Sequence, residues 1–283
     1  MEMSLSPRIL PSVLAIPLAL EAELGPLGAA ATLLGLLMGV PIGCWFLARA
    51  IGRRSYGGNA ILGWMRLAAI PYLRWFQRTS VHGRNFIPVT LGARGLIVVA
   101  NHAAGLDPVL LQCAMRHPIR FMMSAEMMLP ALAWAWRLLR VIPVCFDNRD
   151  AFALKGAIAH VADGGTMAIF PEGAIERPAR QLRPFSGGLR LILARSKAPV
   201  LVAIIDPGDA AKTTWGSLFK ATRASVRFVA LIEPTAEGHP RETAQRIFEL
   251  MQQETGWPTN ETPPDEVNPE LVARNLRAFN GGG

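Results

Sequence analysis

Cysteine is scarce in this chain of 283 residues: Cys44, Cys113 and Cys145 stand far apart, without a C-x-x-C pair or a disulfide-rich spacing. That excludes a disulfide scaffold and reads all three as small buried hydrophobes of a reducing compartment. Charge is sparse as well, at 18% of residues against 51% hydrophobic, with a mean hydropathy of +0.27. Such a balance leans toward contact with lipid. Phosphate-cradling P-loops, dinucleotide glycine signatures and H-E-x-x-H zinc patterns are missing, so no bound cofactor or metal is expected. A G-x-S-x-G elbow is missing too, which argues against a serine acyl-enzyme. Internal repeats and low-complexity segments are likewise lacking.

The most informative deficit is of acid. Between Arg49 and Leu106 lie eight arginines and no aspartate or glutamate. The rest of the chain holds 29 − 8 = 21 basic and 21 acidic residues, so the whole formal excess of +8 sits in this stretch. It directly follows an uncharged apolar run, Leu24 to Ala48, where cations meet phospholipid headgroups. An anionic membrane surface is therefore the expected partner, and nucleic acid is not. As a helix that run reaches about 37 Å, enough for a hydrocarbon core of about 30 Å. Gly25, Pro26, Gly28, Gly35, Gly39, Pro41 and Gly43 interrupt it, leaving a spanning helix and a kinked or re-entrant one both open. Glu2, Glu21 and Glu23 speak against a cleaved signal peptide. The arginines after Ala48 place the body on the cytoplasmic face of an inner membrane.

Asn59 to Arg78 interleaves Trp64, Tyr72, Trp75 and Phe76 with Arg66, Arg74 and Arg78, and Pro71 breaks it. This pattern suits an interfacial helix, or else one packed on a globular domain.

From Gly95 onward, short apolar runs alternate with helical patterns. Strands are expected at Leu96–Ala100, Ile119–Met123, Val141–Phe146, Met167–Phe170, Val200–Ile205 and Val226–Ile232. Helices are expected at Pro108–Arg116, Glu126–Arg140, Asp150–Ala162, Gly187–Ser196 and Arg241–Glu254. The fold class is α/β, a mixed, largely parallel sheet flanked by helices, with an N-terminal membrane-associated helical segment. The length accommodates such a domain of about 200 residues with segments to spare. The expected division is 1–80 membrane-associated helices, 81–256 body, and 257–283 a loosely ordered polar tail.

Three strand ends carry candidate chemistry. In Asn101-His102-Ala103-Ala104-Gly105-Leu106-Asp107, a helical path would point His102 and Asp107 about 140° apart. A turn, with Gly105 lending backbone freedom, lets Asp107 accept the Nδ1 proton of His102 and leaves Nε2 as a base. Asp107 before Pro108 also reads as a helix N-cap, and the two roles can coexist. Phe170-Pro171-Glu172-Gly173 ends another strand, where α/β proteins place ligands. A tight turn with a solvated Glu172 is its plainer reading. Arg149 follows a third strand at a helix start, placed either to hold a phosphate or to pair with Asp147 or Asp150.

Taken in order, N-H-x-x-x-x-D, a strand with Arg149, F-P-E-G, P-F-x-x-G (Pro184, Phe185, Gly188) and Ala198-Pro199-Val200-Leu201-Val202 resemble the lysophospholipid and glycerol-phosphate acyltransferase family, over about Gly95 to Ile205. The resemblance implies His102 as general base and Asp107 as its orienting partner. Asn101, Arg149, Phe170, Pro171, Glu172, Gly173 and Arg177 would be the substrate-binding residues. It also implies a lysolipid acceptor and an acyl thioester donor, acyl-CoA or acyl-carrier protein, as co-substrates. Where the family usually continues its third block with threonine and arginine, this chain reads Ala174-Ile175-Glu176-Arg177, and Ser186 stands where lysine is usual. Arg177, Arg180 and Arg183 are the nearby cations available to compensate.

Overall fold

Alternating burial along two strands explains the architecture. The computed structural model describes residues 10–54, 60–145, 150–176, 178–209, 213, 215–234, 239–262 and 267–281. Strand β2 (Leu96–Ala100) is buried at every position. Ile97 and Val99 face one apolar cluster while Leu96, Val98 and Ala100 face another. In β6 (Val200–Asp206), Val200, Val202 and Ile204 join the first cluster and Leu201, Ala203 and Ile205 the second. Side chains of a strand alternate between faces, so a strand apolar at every position must be covered on both.

The other strands are β1 (Ser80–His82), β3 (Ile119–Ser124), β4 (Ile142–Val144), β5 (Thr166–Ile169) and β7 (Ser225–Ile232). Their order in one sheet is β1-β7-β6-β2-β5-β3-β4. From β6 to β4 the pairs are parallel; β7 runs antiparallel to β6, and β1 parallel to β7. The expected mixed, largely parallel α/β sheet is what the chain forms.

Helix α1 (Leu10–Arg54) belongs to a unit of its own, Met1–Trp64. It is broken at Gly25, whose φ of 68° no helix accommodates, and Pro26 restarts it. Beyond that break, Gly25–Ala50 is one helix long and apolar enough to cross a membrane, with mean hydropathy 1.9 and none of its most apolar window buried. The helix continues through Pro41. Cys44 is exposed on it, and Cys113 and Cys145 are half-buried, so the expectation of three buried thiols does not hold.

Helix α2 is Ala60–Pro71. Within the body, α3 (Asp107–Ala114) covers one face; α5 (Asp150–Ala162), α6 (Gly187–Ser196) and α7 (Pro240–Thr255) cover the other. Gly164, with φ 82°, ends the expected third helix as anticipated. The long helix expected at Glu126–Arg140 is instead two 3₁₀ turns, Ala125–Met127 and Pro130–Leu132, followed by the short α4 (Ala133–Leu138). Pro130 lacks an N–H and holds Leu129 extended (φ −55°, ψ 126°), which halts the helix there.

The tail corrects the sequence reading more sharply. Pro269–Asn280 is a helix, α8. Asn268 caps it by accepting from the N–H groups of Glu270 and Leu271 at 3.0 and 3.3 Å. Buried Asn275 then ties it to the first 3₁₀ turn, donating to the carbonyls of Ala125 and Glu126 at 3.0 and 2.7 Å.

Candidate active site

Strand β2 ends at Ala100, level with Ala203 of β6. The next residue locks the two strands together. Buried Asn101 donates from Nδ2 to the Ile205 carbonyl at 2.9 Å and accepts the Ile205 N–H on Oδ1 at 2.7 Å. Its amide thus serves the backbone. That is a positioning task for a residue expected at the substrate site.

His102 follows, free of the strand. Its Nδ1 lies 2.9 Å from Oδ2 of Asp107. A carboxylate only accepts, so Nδ1 carries the proton and Nε2 of the neutral ring keeps its lone pair. Asp107 is fully buried, while the histidine side chain keeps 19% of its exposure. The same Oδ2 accepts the N–H groups of Ala103 and Ala104 at 2.7 and 2.8 Å. Three donors on one oxygen fix the carboxylate. They also correct the cap reading: Asp107 is the first residue of α3, and its carboxylate reaches back into the preceding turn. The Ala103 and Ala104 amides, having Asp107 as partner, are unavailable to a developing oxyanion. Gly105 is not among the left-handed glycines; in this site Gly173 is, with φ 77°.

The end of β5 supplies the second wall. Phe170 stacks on the imidazole of His102, centroids 4.2 Å apart and planes 16° from parallel, and Phe121 lies behind it at 6.4 Å. The ring plane is thereby held from its face as well as its edge. Buried Pro171 accepts the N–H of Ser186 at 2.8 Å, drawing the P-F-x-x-G loop to the site.

Glu172 is 3% exposed, so the solvated-turn reading fails. Oε1 accepts the backbone N–H of His102 at 3.0 Å and Oε2 that of Arg183 at 3.3 Å. Burial pushes its carboxyl up to about 8, against the two backbone hydrogen bonds that favour the charged form; Glu176 adds to the rise and Arg183 opposes it. Its geometry is that of a clamp between loops.

Behind Glu172 lies a buried ionic cluster absent from the sequence reading. Arg183 donates from Nε to Oε2 of Glu176 at 3.1 Å, both residues being buried. Asn260 donates to the other oxygen of Glu176. The N–H of Glu176 donates to the carbonyl of His102 at 2.8 Å. Residues 258–260 run beside Leu182, whose N–H and C=O bond to Pro258 and Asn260 at 3.0 and 2.8 Å. An arginine pair could be guessed from the E-x-x-x-x-x-x-R spacing; Asn260, in an aperiodic stretch, gave no signal. Arg149 and Arg177 lie outside the described residues. Arg180 pairs with Asp206 at 3.1 Å on the surface. No group of three or more metal-ligating side chains occurs among the described residues.

Residues 78–206 match the family model described as Acyltransferase. No curated protein matches the chain. Among solved structures, the 1-acyl-sn-glycerophosphate (LPA) acyltransferase PlsC from Thermotoga maritima is similar in fold, at 21% identity and a TM-score of 0.54. The likeness covers 70% of this chain and 79% of that one.

Proposed function

We propose, from the match of residues 78–206 to the Acyltransferase family model, that this chain moves a fatty acyl group from acyl-CoA or acyl-carrier protein to the hydroxyl of a lysophospholipid at a membrane surface. First among the acceptors is 1-acyl-sn-glycerol 3-phosphate, the compound in the name of the fold neighbour. The observation that carries the reading is the 2.9 Å contact of His102 Nδ1 with Asp107, which orients the ring so that Nε2, in the neutral tautomer, is the free base of a partly exposed side chain.

His102 Nε2 takes the proton of the acceptor hydroxyl as that oxygen bonds to the thioester carbonyl carbon. Asp107 balances the imidazolium so formed. The tetrahedral adduct then expels the thiolate, the C–S bond breaks, and Nε2 returns the proton to sulfur. No residue of the chain is acylated, in keeping with cysteines outside the motifs. Glu172, Phe170 and Asn101 hold the base in place, and Arg149 and Arg177 are assigned to the acceptor headgroup by the family resemblance.

A second acceptor class is favoured by one specific observation. Arg180 and Arg183 are paired with Asp206 and Glu176, so neither brings an uncompensated charge to a phosphomonoester. This supports a lysolipid with a less anionic headgroup, such as an amino-acid lipid.

Helix α1 supports membrane attachment, and the arginine-rich stretch after it supports a body on the cytoplasmic face. The deciding experiment is product analysis by mass spectrometry over a panel of lysolipids with one acyl thioester, using wild type and His102→Ala. Acylated product from wild type alone is expected. Equal product from the variant refutes His102 as base, and free fatty acid without acylated lipid refutes the transferase reading.

A further inference from the structure

The register of the sheet brings two distant segments to the end where His102 sits. Ser225 opens β7 opposite Asp206, the last residue of β6, and Ser80 opens β1 beside Ser225. Whatever precedes β1 and β7 therefore lies at the end of the sheet where β6 finishes and, one strand away, β2 delivers His102. The two preceding segments are a π-helical turn, Tyr72–Phe76, and the loop around a 3₁₀ turn, Trp215–Leu218.

They are bolted together by one fully buried residue, Gln77. Its Nε2 donates to the Ser217 carbonyl at 2.9 Å and to the Tyr72 hydroxyl at 2.6 Å. Its Oε1 accepts both the N–H and the hydroxyl of Thr222 at 3.1 and 3.0 Å. The Tyr72 hydroxyl donates to the Leu218 carbonyl at 2.6 Å, and the N–H of Arg223 to the Gln77 carbonyl at 2.9 Å. This is a satisfied polar knot, which makes the junction rigid.

What the knot displays is apolar and cationic. Trp75 is 75% exposed, Phe219 83% and Phe76 46%. Phe76 stacks on Tyr72, itself bonded next to Phe219. Arg74, Arg78, Lys220 and Arg223 are exposed around them. Arg78 and Arg223, on either side of the knot, hold left-handed backbones (φ 52° and 55°) that non-glycine residues seldom adopt without such support. No acid occurs from Arg49 to Leu106 or from Ala210 to Ile232; exposed Asp209, whose N–H donates to the Thr222 carbonyl at 2.7 Å, is an acid at the border of the surface. Large aromatic rings presented singly to water among cations are the composition of a surface that sits at headgroup depth.

We infer that the Tyr72–Arg78 and Trp215–Arg223 segments form one docking surface for an anionic bilayer, carried by the catalytic body on the sheet end that bears His102. This deepens the reading of the chain as an acyltransferase for lysolipids and rests on it for its purpose: a body seated this way takes its acceptor from the lipid face. The occupant is lipid rather than an acidic protein because three exposed rings call for an apolar phase as well as charge.

The test uses the full chain in nanodiscs of phosphatidylcholine mixed with phosphatidylglycerol, with and without bromine on the acyl chains. Phe219→Trp adds a reporter at an exposed position, and wild type measured in parallel removes the signal of the native tryptophans. Bromine should quench the added emission about twofold or more, as for a ring at the interface. Emission unchanged by bromine overturns the proposal, as does shielding that appears only on adding acyl-carrier protein. Phe219→Asp should lower transfer to a bilayer-borne acceptor about tenfold while sparing a water-soluble short-chain acceptor; equal loss on both also overturns it. Quenching needs no turnover, so it separates failure of this surface from failure of the acyltransferase reading.

Discussion

The N–H of Glu176 donates to the carbonyl of His102 at 2.8 Å, joining the loop after β5 to the loop after β2 at the proposed base. Glu176 is in turn held by Arg183 and by Asn260, 84 residues further along. The position of the histidine therefore depends on a residue of the C-terminal segment. Asn260→Ala should lower kcat several-fold with little change in KM, and cost about 1–3 kcal/mol of stability by stranding a buried carboxylate oxygen. Asn260→Asp, with a second carboxylate against Glu176, should be worse than alanine. Steady-state kinetics beside thermal melts would show it; kcat unchanged in both variants would disconnect the latch from the site.

The dyad predicts non-additive losses. Asp107→Asn leaves at most a neutral amide oxygen for the three N–H groups and removes the negative charge that balances the imidazolium. It should reduce kcat about 10²- to 10⁴-fold, and His102→Ala by a similar factor. Combining them should cost little more, since the two act as a unit. Losses that multiply in the double variant would mean Asp107 works apart from the histidine.

Glu172 predicts a pH dependence of stability. Its carboxyl titrates at about 8 in the folded protein against 4.5 ordinarily. Between those values the folded state keeps a proton that the unfolded chain has released, so stability is greatest below about pH 4.5 and falls as pH rises through about 8. Melting temperature of wild type should decline across that window more steeply than that of Glu172→Gln, which cannot ionise. Parallel profiles would show that the clamp is charged throughout.

Asn101→Ala severs the two-way bond between the ends of β2 and β6. Leaving the Ile205 N–H and carbonyl unpaired inside the protein should destabilise it by about 1–3 kcal/mol. Urea unfolding measures this, and a midpoint equal to wild type would deny Asn101 its positioning task.

The strands were legible because each is a short apolar run bounded by turn residues. Five of the six expected strands lie within a residue or two of those observed at every described end, and Val141–Phe146 shortens to Ile142–Val144, with Phe146 outside the described residues. The three-residue β1 was not legible, since Ser80–His82 has neither an apolar run nor alternation. Nor was α8 read, although Asn268-Pro269-Glu270 and Gly281 are start and stop signals; polarity and two prolines outweighed them.

For the candidate site, spacing along the chain brought His102 and Asp107 into one turn and put Phe170 and Glu172 at a neighbouring strand end. Local chemistry suffices for that, because a histidine and an acid within one loop interact whatever surrounds them. The direction each side chain takes was decided only by tertiary structure. The Glu172 carboxylate clamps two loops, the Asp107 carboxylate reaches back to Ala103 and Ala104 rather than capping α3, and the Asn101 amide straps β2 to β6. Each of those outcomes depends on a backbone donor or acceptor brought from another strand or turn, and burial obliges the polar side chain to meet it.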